Sequence, residues 1–512
     1  MLSVTFLFSK TNLERNKKME KFLLDVVNTV NTYLSDYILI FLLVGVGLYY
    51  SIRTKFVQVR CFGEGMKNVF GNIRLKGEKQ KGGLSSFQAL ATAIAAQVGT
   101  GNIVGACGAI FIGGPGAIFW MWIIAFLGMA TIYAEATLAQ KTRVVNPDGT
   151  IDGGPVYYIK HAFKGKFGKA LAGFFAVAAT LALGFMGAMV QSNSIASNFA
   201  GVFRQFGVED TTVVTVVVGA LVAIAAAVIL LGGVQRLASV NEKIVPVMAV
   251  LYLVGGLVVL GINIQYIPET FGLIFKYAFS PNALIGGAVG TALSKAISQG
   301  AKRGLFSNEA GMGSTPHAHA QANVKTPHQQ GTAAIISVFI DTFIVLTMTA
   351  LVVISSLYTN ANPDITITPD NYSYFVESGF SSANMAQLAF SGAFAKLFGA
   401  EAGYIIGSLF VAVCLFFFAF STIISWNFFG KINFQYLFGK KATPVYSVVA
   451  VVFIFVGSLL QNDLVWGLTD MFNNLMVIPN VIALFALGGL VVSLTKFGRK
   501  SDLPEIKETE NK

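Results

Sequence analysis

Eleven stretches of this chain come near or pass the length of about 18 uncharged residues that marks a bilayer-spanning helix. They lie at 35–52, 88–112, 116–139, 170–200, 211–233, 244–263, 284–301, 330–358, 402–430, 444–461 and 468–495. Lipid offers no partner to backbone amides, so each stretch must satisfy its own hydrogen bonds as a helix. Composition agrees: 54% of the residues are apolar and 12% are charged, where a soluble protein has roughly a quarter charged. The 53 glycines suit helices that pack closely in lipid. The first stretch starts too far in to be a cleaved signal sequence. The reading is an all-α polytopic membrane protein.

Orientation follows from lysine and arginine. Arg53, Lys55, Arg60, Lys67, Arg74, Lys76, Lys79 and Lys81 follow the first span, and Lys141 to Lys169 include six basic residues after the third. Loops after the fifth, seventh and ninth spans and the tail are basic too, whereas the 359–401 loop carries Asp364, Asp370 and Glu377. Every second loop and the C-terminus are thus expected in the cytoplasm. The net charge of +11 reflects topology and anionic lipid, with no nucleic-acid partner expected. Residues 1–34 fall outside by parity although 1–21 are basic, which suggests translation starting at Met19. Cys61, Cys107 and Cys414 lack metal or redox spacing and read as packing residues.

Two spans are interrupted. The second reads AAQVGTGNIVG around Gly99, Thr100, Gly101 and Asn102, and the seventh reads SQGAKRGLFSNEAGMG. Paired interruptions in the two halves point to a transporter site, and a separation of five spans fits a five-helix unit used twice in opposite orientation. Tight packing explains the glycines, but not the polar cluster Gln97, Thr100 and Asn102. A broken helix offers amides that suit a carboxylate and carbonyls that suit a small cation, so a zwitterion with sodium is the favoured ligand pair. A channel is the rival, since polar breaks also build filters. His317, His319 and His328 are weak metal candidates, because residues two apart do not share a helix face, and a cytoplasmic helical loop is their expected place.

GEGMKNVFG, AAQVGTGNIVG, GGPGAIFWMW, DGGPVYYI, RGLFSNEAGMGS, VFIDTFIVLTMTAL and FAFSTIISWNFFG together resemble the alanine or glycine:cation symporter family, from about Met19 to about Lys500. The resemblance implies a LeuT-type fold with one extra N-terminal helix (35–52), a first repeat at 53–283, a second at 284–495 and a tail at 496–512. It implies sodium-driven, sometimes proton-driven, import of alanine, glycine or glutamine in a bacterial-type cytoplasmic membrane. No enzyme activity and no cofactor are expected, and the functional unit is expected to be a monomer.

VGTGN resembles the VGLGN break of neurotransmitter-type transporters. By that likeness the amides of Thr100 and Gly101 hold the substrate carboxylate, and Asn102 lends a side-chain oxygen. The carbonyls of Ala95 and Val98 face sodium with the hydroxyls of Ser421 and Thr422, whose competing reading is back-bonding within their helix. A break at Leu305, Phe306 and Ser307 supplies carbonyls for the ammonium and an apolar wall. Gln191 is read either as a substrate contact or as a helix–helix hydrogen bond, and Trp426 either as a lid or as an interfacial anchor. Asp341 and Gln97 are candidate ion or gating residues, with an Asp341–Lys295 pair as the structural alternative. Glu309 is expected to cap the next stretch or pair with Arg303, and Glu135 to pair with Lys141 or Arg143.

Overall fold

The computed structural model describes residues 10–71, 84–147, 149–279, 289–362, 366–368 and 382–497. Residues 1–9, 498–512, the basic positions 74–81 and the acidic Asp364, Asp370 and Glu377 lie outside them.

A helical run Lys10–Tyr33 passes through a π turn at Leu34–Leu39 into α1, Ile40–Arg53. The second span is two helices, α2 (Ser86–Gln97) and α3 (Gly101–Gly113), bent by 43°. Then come α4 (Ala117–Thr142), α5 (Gly165–Gln205), α6 (Thr212–Leu230) and α7 (Gly233–Ile262). The second half holds α8 (Val289–Asn308), α9 (Pro327–Leu357), α10 (Ala400–Phe438), α11 (Lys440–Leu459) and α12 (Asn462–Ala486). Among the described residues eight helices are long and apolar enough to cross a membrane, or nine with α2 and α3 as one bent span. The other two expected spans are less clear-cut. Apolar α1 is only 14 residues long, and α8 carries Lys295, Lys302 and Arg303, with 284–288 outside the described residues.

The bundle wears its apolar side outward. Val213, Val217, Leu221, Ile224 and Val228 of α6 are exposed, as are Val250, Val254 and Leu257 of α7 and Val445, Val448 and Val452 of α11. Such faces are stable only against hydrocarbon. Inside, small residues set the spacing. A Cβ on Gly430 of α10 would lie 2.7 Å from the Cα of Gly184 in α5 and would collide with the Tyr446 hydroxyl, which donates to the Asn427 carbonyl at 2.9 Å.

Loops expected on the cytoplasmic side meet on one face. Leu84, before α2, pairs its backbone with Gln321 and Asn323, beyond α8. Gln140 and Arg143, at the end of α4, donate to the Ala322 carbonyl at 2.9 and 2.6 Å. Lys440, after α10, reaches Thr150 at 3.4 Å. A short antiparallel ladder, Val144–Val145 with Ile151–Asp152, sits among them.

The close crossing of α5 and α10 makes a direct prediction. Gly430→Leu should destabilise the detergent-solubilised protein by about 1–3 kcal/mol, the usual penalty of overpacking. Gly173→Leu, where an added Cβ meets nothing within 4 Å, should leave the thermal unfolding midpoint unchanged. Equal midpoints for both variants would contradict the packing described.

Candidate functional site

The break in the second span starts at Val98, whose φ of −79° and ψ of 85° leave the helical range. A helix that stops inside a bundle exposes its last carbonyls and the next helix's first amides. Side chains satisfy them here. Asn102 accepts from the Gly99 amide at 2.9 Å, closing the break on itself. Gln191 of α5 accepts from the Thr100 amide through Oε1 at 3.1 Å. On the other side of the break, Thr422 of α10 donates to the Ala95 carbonyl at 2.8 Å, and Ser421 approaches the same oxygen at 3.5 Å. Gly99 is obligatory: a Cβ there would collide with Thr422 Oγ1 and stand 3.3 Å from Gln191 Oε1.

The seventh-span interruption lies later than the sequence suggests. The helix α8 continues through Leu305, Phe306 and Ser307 to Asn308, and the Glu309 amide donates to the Leu305 carbonyl at 2.8 Å. Leu305 therefore keeps a helical hydrogen bond and is buried. The true break follows Asn308, where Glu309, Gly311 and Gly313 take positive φ values of 59°, 91° and 82°. Glycines at two of those places relieve the left-handed strain.

The two breaks meet. A Cβ on Gly101 would stand 3.0 Å from Phe306 Cδ1 and from Ser307 Cα, so any side chain there would require α8 to give way by a few tenths of an ångström. Gln97 donates to the Asn308 carbonyl at 2.8 Å, capping the end of α8 from the end of α2. Asp341 of α9 joins both: Asn102 Nδ2 donates to its Oδ1 at 2.6 Å, and Ser307 donates to both carboxylate oxygens at 3.1 and 3.0 Å. Thr342 adds a donor at 2.8 Å. Lys295 is exposed and is not among these partners, so the carboxylate is held by neutral donors around the breaks instead of by the lysine.

Four polar atoms at this junction are left over. Oε1 of Gln191 is committed to an amide, so Nε2 is the free donor; by the same logic Gln97 keeps Oε1 and Asn308, whose Oδ1 takes the Ala310 amide, keeps Nδ2. With Thr100 Oγ1 these atoms are buried and have no hydrogen-bond partner among the described residues. Buried polar groups in that condition are rare and call for a reason.

Trp426 is fully enclosed, which removes the interfacial-anchor reading. Its indole donates to Glu309 Oε1 at 2.5 Å, and its ring meets Phe306 edge-on at 5.5 Å. Glu309 also accepts from Ser314, so it holds the break together and does not pair with Arg303. Arg303 binds Asp470 of α12 at 3.2 Å and lies 4.5 Å above the Trp466 ring, lining a cavity of about 300 Å³ with Asn462, Asp463 and Ser382. Glu135 is buried, away from the pairing expected with Lys141 or Arg143. It accepts from the Gly311 amide at 3.1 Å and from Asn480 at 2.6 Å, clamping the same break from α4 and α12. Nothing in the sequence spacing announces these last contacts, because their partners lie more than 150 residues apart.

The described part of the chain thus unites Thr100, Gly101, Asn102, Gln97, Gln191, Ser307 and Asp341 in one polar junction. Beside it, Ala95, Ser421 and Thr422 form a second oxygen cluster, at the helix end where Val98 stands.

Comparison with known proteins agrees with this architecture. The solved structure of MhsT, in complex with L-phenylalanine, superposes with a TM-score of 0.56 at 14% identity, covering 82% of this chain and 99% of that one. The fold is therefore of the LeuT type. The sodium/alanine symporter AgcS of Methanococcus maripaludis is 39% identical across 92% of this chain and 96% of its own. The amino-acid carrier protein AlsT of Bacillus subtilis is 34% identical across 93% and 92%. The family model matches residues 20–509. A transporter fold, two broken helices joined through a buried polar junction, and this near-complete match lead to one conclusion: the chain belongs to the sodium:alanine symporter family.

Proposed function

We propose that the polar junction between the two broken helices binds a small neutral amino acid, and that the Ala95–Thr422 cluster binds the sodium ion that drives its import. The four unpartnered atoms of Gln97, Thr100, Gln191 and Asn308 carry the reading. A zwitterion supplies both acceptors and donors, as this mixed set requires. A hydrocarbon or a simple cation does not.

The substrate carboxylate takes the Thr100 amide from Gln191 Oε1 and accepts from Gln191 Nε2, at the positive end of α3. Gly101 lets the carboxylate reach the backbone. The ammonium lies toward the end of α8, and the charge of Asp341 complements it from behind Ser307 and Asn102, whose hydrogens that carboxylate already accepts. Leu305 and Phe306 bound the apolar side, and Trp426 backs Phe306. Sodium takes the carbonyls of Ala95 and Val98 and the hydroxyls of Ser421 and Thr422. In the arrangement described, the Ser421 hydroxyl back-bonds to Phe418 at 2.9 Å and Thr422 donates to Ala95, and both oxygens keep lone pairs available. Neutral oxygens in this number hold sodium reversibly. The Arg303–Asp470 pair and Gln97 act as the closure between this junction and the cavity beside Ser382. The names of AgcS and GlnT, a Bacillus subtilis relative 36% identical, support alanine or glutamine as the substrate and sodium as the driving ion, with a proton the alternative ion to test.

Rocking of the bundle that carries the two broken helices exposes the site inward as the monomer alternates its opening. Basic loops and C-terminus face the cytoplasm of a bacterial-type cell membrane. Occupation by both ligands must favour the closed state, since a ligand shifts an equilibrium only by its differential affinity.

Uptake of labelled alanine, glycine and glutamine into proteoliposomes tests the whole. An inward sodium gradient should drive accumulation above the external level; equal uptake with and without sodium would refute sodium coupling, and a response to a proton gradient alone would reassign the ion. Thr422→Val should raise the sodium concentration for half-maximal uptake about tenfold, matching ~1.4 kcal/mol for one lost contact to an ion. Its KM for alanine at saturating sodium should stay within about twofold, which flow dialysis and uptake kinetics would measure. Gln191→Glu sets a like charge against the substrate carboxylate. It should raise the KM for alanine about a hundredfold or more, ~2.7 kcal/mol, with the sodium dependence unchanged; an unaltered KM would remove Gln191 from the site.

A further inference from the structure

Away from the junction, three residues with metal-binding atoms come together that no sequence spacing connects. Cys61 joins two short helices, Val57–Arg60 and Phe62–Phe70, and Glu64 lies one turn beyond it. His328 lies at the start of α9, 264 residues further along the chain. The Cys61 sulfur, a Glu64 carboxylate oxygen and a His328 ring nitrogen all lie within 4.8 Å of one another. Cys61 and His328 are buried, whereas the Glu64 side chain is 37% exposed.

Hydrogen bonds on the far side of the imidazole orient it. Thr495 donates to the Val491 carbonyl at 2.9 Å, and Tyr133 donates to Thr495 at 3.1 Å. The Tyr133 oxygen also lies 2.6 Å from His328 Nδ1. In the tautomer protonated at Nδ1, the lone pair lies on Nε2. That nitrogen faces Glu64 Oε1 at 3.2 Å, and the carboxylate is also an acceptor. A cation placed between them, beside the Cys61 sulfur, would take one ligand atom from each of the three residues. Fixing the ring through its other nitrogen is how proteins prepare a metal-ligating histidine.

We infer that Cys61, Glu64 and His328 form a binding site for a divalent transition ion of the zinc class, with water as fourth ligand. One thiolate, one imidazole and one carboxylate match the donor preference of that ion. Tetrahedral bonds of about 2.0–2.3 Å place ligand atoms roughly 3.4–3.7 Å apart. The widest separation in the cluster must therefore shorten by about an ångström, whereas Glu64 and His328, 3.2 Å apart, already stand close to that spacing. The bound ion fastens Phe62–Phe70 to α9, the helix that carries Asp341. Those two helices already pack closely: a Cβ on Gly65 would meet Ile336 Cγ1 at 2.9 Å, and Asn68 donates to Thr332 at 3.0 Å. The site does not depend on what the junction transports.

Cobalt(II) is the probe, because a thiolate ligand gives it a near-ultraviolet charge-transfer band. Titrated into the purified full-length protein in detergent, Co2+ should give that band at one equivalent, and Zn2+ should abolish it by displacement. Cys61→Ser should lose the band, Glu64→Gln should weaken Co2+ binding about tenfold, and Cys414→Ser should behave as wild type. Zn2+ should raise the thermal unfolding midpoint of the wild type and leave that of Cys61→Ser unmoved. Monodisperse elution and a cooperative melt check that each variant is folded. Absence of the band in folded wild type at about a hundred micromolar Co2+ would overturn the proposal and leave His328 and Glu64 as a hydrogen-bonded pair. Persistence of the band in Cys61→Ser would overturn it equally.

Discussion

A backbone amide or carbonyl that loses its helical partner deep in a membrane protein costs several kcal/mol unless another group takes its place. The interruption at 98–101 releases several such groups at once, and the surrounding helices are arranged to receive them. Gln191 comes from α5, Thr422 and Ser421 from α10, and Asp341 with Asn102 from α9 and α3. Three other spans are thus tied to one break. The glycines follow from the same requirement: Gly99 admits the Thr422 hydroxyl, and Gly101 admits α8. Side chains at either place would push apart the helices that satisfy the backbone.

The second break is held differently. After Asn308 the chain turns through left-handed positions, and two buried carboxylates brace it: Glu135 on the Gly311 amide and Glu309 between Trp426 and Ser314. A carboxylate accepts from amides, an indole and hydroxyls without needing a cation beside it. This explains why neither glutamate seeks the basic residues near it in sequence. Arg303 is left to pair with Asp470, where the charges line a cavity and are partly hydrated. The first break is therefore satisfied by neutral side chains, and the second by neutral amides, Gln97 and Asn480 among them, together with the Glu135 carboxylate.

A good deal of this was legible beforehand. The apolar stretches could only be membrane helices, and α5 to α7 and α9 to α12 overlap the spans read from hydropathy. The VGTGN motif marked its own break because glycine, threonine and asparagine together have no reason to sit in lipid. Its partner was harder to locate. RGLFSNEAGMG combines helix formers with glycines, and local pattern put the interruption at Leu305–Ser307. Packing of Gly101 against Ser307 and Gln97 against the Asn308 carbonyl sustains the helix to Asn308. Asp341 was legible as an unusual intramembrane acid, but its neighbours were not.

What the sequence by itself determined is thus the environment, the spans, the alternating charge of the loops and the existence of two breaks. These depend on single segments meeting lipid or water, a one-dimensional property. Only the tertiary structure decided that Gln191 faces the Thr100 amide, that Asp341 bridges both breaks, and that Cys61 stands beside His328. Each of those contacts joins residues about 90 or more apart along the chain, except Ser307 and Asp341 at 34. Distances across a bundle depend on how helices rotate and slide to bury their small faces, and no local pattern records the outcome.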